Sequence, residues 1–161
     1  MVQEKQEMKI TRIENGTVID HITPGSALKV FELLGLEGDD ENAITIAIRV
    51  NSDKMGKKDL LKIEDRFITA KESAMISLIS PEATINIIRS FEVESKEVVE
   101  LPEELEGIFS CSNPNCITNQ EREPVEARFE VTEKNPLSVR CLYCDTLMNE
   151  EEVTHQLIQG S

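Results

Sequence analysis

Along residues 44–50, ITIAIRV, apolar positions alternate with others: Ile44, Ile46, Ile48 and Val50 fall on one side, Thr45, Ala47 and Arg49 on the other. A period of two predicts a strand with one buried face. A long strand is also expected over 8–22, interrupted at Asn15-Gly16, a dipeptide suited to a bulge or kink. Thr23-Pro24-Gly25 breaks that strand and opens a helix, with Pro24 near the first turn, where its missing N–H costs little. Ala27, Val30, Phe31 and Leu34 recur at helical spacing, and Gly35 suits the position just past the helix. NSDKMGKK (51–58) predicts a polar loop leading into a strand over 59–67, with Leu61 and Ile63 inward and Lys58, Leu60, Lys62 and Glu64 outward. Thr69-Ala-Lys-Glu72 is a capping box, so a second helix begins there and runs to about Ser80, before Pro81. Strands over 84–89 and 91–99 complete the order βαββαβ with one strand added. The expected class is α+β: a ferredoxin-like antiparallel sheet over residues 1–100 with two helices on one face.

Residues 97–107, EVVELPEELEG, read as an acidic, proline-bearing hinge. Beyond it, residues 101–161 offer only short strand patterns, over 127–131 and 137–141, and a core that small rarely holds without a staple. The staple is visible. C-S-N-P-N-C (Cys111 to Cys116) and C-L-Y-C (Cys141 to Cys144) are two tight knuckles, and they contain all four cysteines of the chain. Four thiolates from two turns are a common tetrahedral zinc shell, closed to water and substrate, which makes the site structural. Four unliganded thiols or two disulfides are the plainer alternative. His155, on an expected C-terminal helix, reads as a surface residue. The second domain is therefore expected to be a small β-rich four-cysteine zinc domain.

Composition narrows the function classes. Lys and Arg total 17 against 31 Asp and Glu, a formal net charge of −14, with −6 in residues 1–100 and −8 in 101–161. Neither half carries the basic excess of a nucleic-acid-binding protein, which weighs against a zinc-ribbon nucleic-acid module, the alternative reading of the knuckles. No apolar run is long enough for a membrane span, and the N-terminal sequence lacks the apolar stretch of a secretory signal; the expectation is a cytoplasmic protein with no membrane partner. The motifs G-x-S-x-G, G-x-G-x-x-G, H-E-x-x-H and the Walker loop are absent from the sequence, and there are two histidines. A nucleotide-processing enzyme would have to rely on His21 as its base.

What remains is a local cluster of cations. Lys54, Lys57, Lys58 and Lys62 crowd one loop and strand, with Lys96 at the end of the last strand. Screening lets such a cluster meet a small polyanion on an otherwise acidic chain. The plain reading is a solvated strand face. Asp20 and His21, adjacent in GTVIDHI, are expected on opposite faces of an extended chain and so do not converge on one reacting atom.

GTVIDHI, MGKKDLLKIE, ATINIIRSFEV and CSNPNCITN followed by CLYC resemble, in that order and spacing, the regulatory chain of aspartate carbamoyltransferase. The resemblance implies a non-catalytic allosteric subunit of pyrimidine biosynthesis. It would bind CTP as inhibitor and ATP as activator at one site, with UTP left open as a third ligand. It would hold one structural zinc ion, dimerise through the N-terminal sheets and bridge two catalytic trimers by three regulatory dimers, the zinc domains docking on the catalytic chains. By the same resemblance Asp20 accepts from the ribose, with Lys62 near sugar and base. Lys96 meets the triphosphate, and Ile13 and Ile88 flank the base. Asn86 and Val93 form the rim, Phe91 stands where a tyrosine is familiar, and His21 lies near the phosphates or a second nucleotide. Cys111, Cys116, Cys141 and Cys144 are the zinc ligands.

Overall fold

A computed structural model describes residues 13–37, 41–122 and 125–159. The outer part of the expected long first strand, 8–12, lies outside them. Strand β1 (Gly16–Ile22) is followed by helix α1 (Ala27–Leu33), β2 (Ile44–Ser52), β3 (Gly56–Glu64), α2 (Ala70–Ile79), β4 (Thr84–Arg89) and β5 (Glu92–Val98). The sheet order is β2-β3-β1-β4-β5 and every pairing is antiparallel. This is the ferredoxin-like arrangement with one strand added at the edge. The inner face carries Ile19, Ile22, Leu61 and Ile63, all fully buried together with Val30 of α1 and Ile76 of α2. Among the described residues no helix is long and apolar enough to cross a membrane.

Gly16 explains how β1 enters the centre of the sheet. Its φ is +148°, and a Cβ there would lie 2.2 Å from the Ile63 carbonyl oxygen. Only glycine permits that approach of β1 to β3. At α2 the capping box forms as expected: the Glu72 amide donates to Thr69 Oγ1 at 3.1 Å, and the Thr69 amide to Glu72 Oε1 at 3.1 Å.

Several expectations need correction. Pro24 lies in the turn before α1, whose cap residue is Ser26. The loop over 51–58 is shorter than expected, because β3 already begins at Gly56. Strict alternation also fails twice, at bulges on both sides of β3. Ile19 pairs with Leu61 but Ile22 with Asp59, so Asp20 and His21 together oppose Leu60. Ala47 pairs with Leu60 but Val50 with Lys58, so Ile48 and Arg49 together oppose Asp59. A bulge inserts one residue and re-aims those after it. It lets Ile19 and Ile22, three apart, both point inward, and it leaves Ile48 46% exposed. His21 and Arg49 take up the extra residue with φ of 56° and 57°.

Asp59 sits between the two bulges and is 0% exposed. Its Oδ2 accepts the amides of Gly25 at 2.8 Å and Ala27 at 3.0 Å, at the start of α1, and its Oδ1 accepts the Arg49 amide at 2.9 Å. Ser26 makes no side-chain cap, so this distant carboxylate does the capping.

The segment read as a hinge is partly structural. Val99 is buried, its amide bonded to the Ala83 carbonyl at 2.9 Å, and Glu104–Glu106 form β6. A second sheet has the order β6-β7-β8-β9, with β7 at Arg128–Lys134, β8 at Leu137–Cys141 and β9 at Leu147–Asn149. Its core is Leu105, Phe129, Val139 and Met148, with Phe109 stacked on Phe129 at a centroid distance of 4.4 Å. Helix α3 (Glu150–Gln159) buries Val153 and Leu157 and packs against both α1 and α2. One continuous apolar cluster therefore joins the two sheets.

Replacing Asp59 with Ala removes the acceptor of three amides, that of Ala27 buried, and is expected to cost about 1–3 kcal/mol. Asp59→Asn, whose single carbonyl oxygen cannot serve α1 and β2 together, should cost less but still lower the denaturation midpoint. Urea titration followed by circular dichroism reads both.

Candidate ligand face and metal centre

The face of the first sheet opposite the helices is built in rows, because residues paired across an antiparallel sheet project to the same side. One row runs Lys62, Val18, Asn86, Lys96 across β3, β1, β4 and β5. Adjacent strands lie about 4.8 Å apart, so the two lysines flank a strip of roughly 14 Å. The next row toward one end is Glu64, Gly16, Ile88 and Val93; toward the other it is Asp20, Thr84 and Val98. Ile88 and Val93 thus stand at one end beside Glu64, with Ile13 buried and Val93 exposed, and the acid Asp20 stands at the other.

Asp20 is ion-paired with Lys58 Nζ at 2.8 Å, and its Oδ1 also accepts the His21 amide at 2.7 Å. Burial alone would push its carboxyl up. The Lys58 ammonium and the His21 amide outweigh that and hold it below the ordinary carboxylate value. The group is a carboxylate at neutral pH, able to accept from ligand hydroxyls. Lys62 is shifted down by burial, an effect that Glu64 partly offsets. An ammonium that has lost part of its hydration gains more from an anion than a fully hydrated one. Asn86 donates to the Val18 carbonyl at 3.2 Å, which orients its amide across the strip.

His21 does not project away from Asp20 as strict alternation would require. The bulge brings its Nδ1 to 3.2 Å from Thr84 Oγ1, on the residue directly opposite Asp20. Acid and imidazole therefore share one end of the strip. Ser90 and Phe91 form the two-residue turn between β4 and β5, at φ of 51° and 69°. Such a turn twists with its strands but asks for residues like Asn-Gly. Here it holds the Phe91 ring 49% exposed beside the apolar row. Contacts from the chain entering β1 fix it: the Phe91 amide donates to the Glu14 carbonyl at 2.9 Å, and the Ser90 amide to Asn15 Oδ1 at 3.2 Å.

Of the sequence-derived face residues, Asp20, Lys62, Asn86, Ile88, Val93 and Lys96 lie in these three rows, His21 and Phe91 border them, and Ile13 leads into β1. Sequence reasoning placed Lys58 in the basic cluster without its bond to Asp20, and it missed Asp59. The missed signal was an acid on the inward side of an alternating strand, between Lys58 and Leu60. The face is open rather than cavernous. A cleft of about 1010 Å³ lies between the two sheets' domains, lined in part by Glu82, Glu100, Leu101, Lys134 and Glu150, and does not involve it.

The four cysteines converge. Their sulfur atoms all lie within 4.8 Å of one another, with Cys111 to Cys144 at 3.6 Å and Cys116 to Cys141 at 3.7 Å. Tetrahedral thiolate coordination with bonds near 2.3 Å needs sulfur–sulfur edges of about 3.8 Å, so these residues fit a metal ion. Each knuckle is set by local bonds. In the first, the Asn115 amide donates to Asn113 Oδ1 at 3.0 Å and the Cys116 amide to the Asn113 carbonyl at 3.0 Å. Asn119 Nδ2 ties the Cys111 and Asn113 carbonyls at 2.9 and 2.7 Å. In the second, the Asp145 amide closes on the Cys141 carbonyl at 2.9 Å. The hydroxyls of Thr118 and Thr146 lie 3.1 Å from the sulfurs of Cys116 and Cys144. Burial pushes the Cys111 thiol up to about 12, whereas the Thr146 hydroxyl beside Cys144 brings that thiol down to about 6. A divalent cation at the centre takes the place of the thiol protons and is held by all four sulfurs. His155 is exposed on α3, outside the tetrad.

Comparison with known proteins agrees with both halves. Residues 8–100 match the family model for the aspartate carbamoyltransferase regulatory chain, allosteric domain, and residues 103–154 that for its metal binding domain. The chain is 49% identical over 153 residues to an aspartate carbamoyltransferase regulatory chain of Korarchaeum cryptofilum, covering 95% of this chain and 98% of that one. It is 48% identical over 152 residues to that of Pyrococcus horikoshii (94% and 99%) and 47% identical over 149 residues to that of Thermoplasma acidophilum (92% and 98%). With an open sheet domain followed by a converging four-cysteine module, matched end to end by these relatives, the chain belongs to the family of aspartate carbamoyltransferase regulatory chains.

Proposed function

We propose that this regulatory chain carries no catalytic activity and binds CTP as inhibitor and ATP as activator at one site on the open face of residues 1–100. Residues 101–161 hold one structural zinc ion and dock on the catalytic chain. Regulatory chains pair through their N-terminal sheets, and three such dimers bridge two catalytic trimers in the cytoplasm; UTP is a third candidate ligand. The observation that carries this reading is the row Lys62, Val18, Asn86, Lys96, flanked by an apolar row at one end and Asp20 at the other. A nucleotide offers a partner for each of these chemistries: a ring for the apolar groups, hydroxyls for the carboxylate and a polyanion for the lysines. Ammonium groups on flexible stems suit a triphosphate.

On this reading the phosphate contacts give affinity without discrimination, since CTP and ATP share the triphosphate. Ile13, Ile88, Val93 and Phe91, beside the base, must tell a small ring from a large one. An effector then shifts the enzyme only by its difference in affinity for two quaternary states, typically 1–3 kcal/mol. Zinc held by four thiolates has no open position, so its contribution is to folding the second domain.

Lys96→Ala should weaken CTP and ATP alike, by about tenfold or more as for a lost charged hydrogen bond. Calorimetric titration of each nucleotide into the variant checks this, and a loss confined to CTP contradicts the shared role. Cys144→Ser should lose the metal by elemental analysis and fail to associate with catalytic trimers on size-exclusion chromatography. Assembly without metal would refute the structural role.

A further inference from the structure

Helix α3 reaches the metal centre by one side chain. Gln156 Oε1 accepts the Ser110 amide at 2.9 Å and its Nε2 donates to the Ser110 carbonyl at 2.7 Å. The carboxamide thus pairs with one residue's amide and carbonyl as a neighbouring strand would, and that residue directly precedes the metal ligand Cys111. The other side-chain ties on the backbone of the first knuckle are local, from Asn113, Asn119 and Gln120. Gln156 lies 46 residues away, on a helix anchored by fully buried Val153 and nearly buried Leu157 and packed against α1 and α2.

We propose that Gln156 is a positioning residue for the metal centre: by clamping the peptide before Cys111, it sets how slowly the bound metal leaves. The proposal rests on the zinc reading above. Loss of the metal requires one sulfur to swing out first. Cys116 and Cys141 are held inside, at 1% and 0% exposure, so the metal opens on the side of Cys144, the most exposed of the four, and of Cys111, whose sulfur lies 3.6 Å from it. Cys111 stands at the end of an irregular stretch, and its retreat is opposed by Asn119 and the Gln156 clamp. Partners that orient ligands typically change metal affinity 10–100-fold when removed. Because Gln156 acts one peptide away from the ligand, the low end is expected.

The test loads the full-length chain with Zn²⁺ and follows transfer of the metal to excess chromogenic chelator. Gln156→Ala should release zinc about tenfold faster than the parent. Ala favours a helix at least as well as Gln, so weakened α3 would not account for the change. Gln156→Glu, which keeps the acceptor for the Ser110 amide but sets a carboxylate against its carbonyl, should also release faster. Thr154→Ala, on the same helix but facing the cleft toward α1, should release at the parent rate. Parent-like release from Gln156→Ala overturns the proposal. So does equal acceleration by Thr154→Ala, which would assign the effect to the helix as a whole. A parent chain that binds no zinc refutes the zinc reading itself, and is recognised before any variant is compared.

Discussion

The side-chain carboxyl group of Asp59 is fully buried and accepts three amides, two from the turn into α1 and one from β2. Burying a charge is costly unless its lone pairs are satisfied. The surroundings meet that demand: a turn and helix start present two amides to one oxygen, and a bulged strand presents a third to the other. Removing any of the three would leave a donor or the acid short of a partner. The position of α1 over the sheet and the bulge in β2 are therefore one problem with one solution. Lys58, the preceding residue, faces the other way and pairs with Asp20, so the same stretch of β3 fixes the helical layer on one side and an acid of the ligand face on the other.

Much of this fold was legible because its signals are local. The strand in ITIAIRV, the Thr69–Glu72 box and the spacing of the two knuckles depend on neighbours within a few residues, and the structure contains all three. What was not legible depends on partners far along the chain. A bulge is defined against the opposing strand, so no pattern within GTVIDHI could show that Asp20 and His21 share an end of the sheet. The alternation in ITIAIRV breaks at Ile48 for the same reason. Thr23-Pro24-Gly25 was expected to open α1, but the helix begins at Ala27, whose amide the Asp59 carboxyl group accepts. Gln156, on a surface helix, carried no signal of its bond to Ser110. The apolar and ionic face residues were named through family resemblance; their order in rows comes from strand register.

The second domain shows why a metal and a helix are both needed. Four short strands with a handful of large buried side chains form a small core, and a module of this size depends on cross-links or on neighbours. The tetrad provides the first, joining the loop after β6 to the turn between β8 and β9. Helix α3 provides the second. Its N-terminus is capped reciprocally by Asn149 and Glu152 and carries three glutamates in the first turn, which suits the helix dipole. Its apolar side then adds Val153 and Leu157 to the cluster shared with the first domain.

That shared cluster constrains how one domain can sense the other. The ligand face and the joint with the second domain lie on opposite sides of a single sheet. A ligand on the outer face touches neither α1 nor α3, so it acts on the second domain through groups that the sheet holds on both surfaces or along β5 into β6. Rigid inward residues such as Leu61 and Ile63 pass little through, because their alternating neighbours face solvent independently. The stretch Lys58–Asp59 is different in kind: consecutive side chains bind an acid above the sheet and the start of α1 below it, and α1 packs on α3. Any effector that competes with Lys58 for Asp20 changes the electrostatics one residue from the carboxylate on which α1 rests. Spatial continuity alone does not establish coupling. It does mark two paths from the face to the second domain: Lys58–Asp59 through α1 to α3, and β5, which carries Lys96, through buried Val99 into β6.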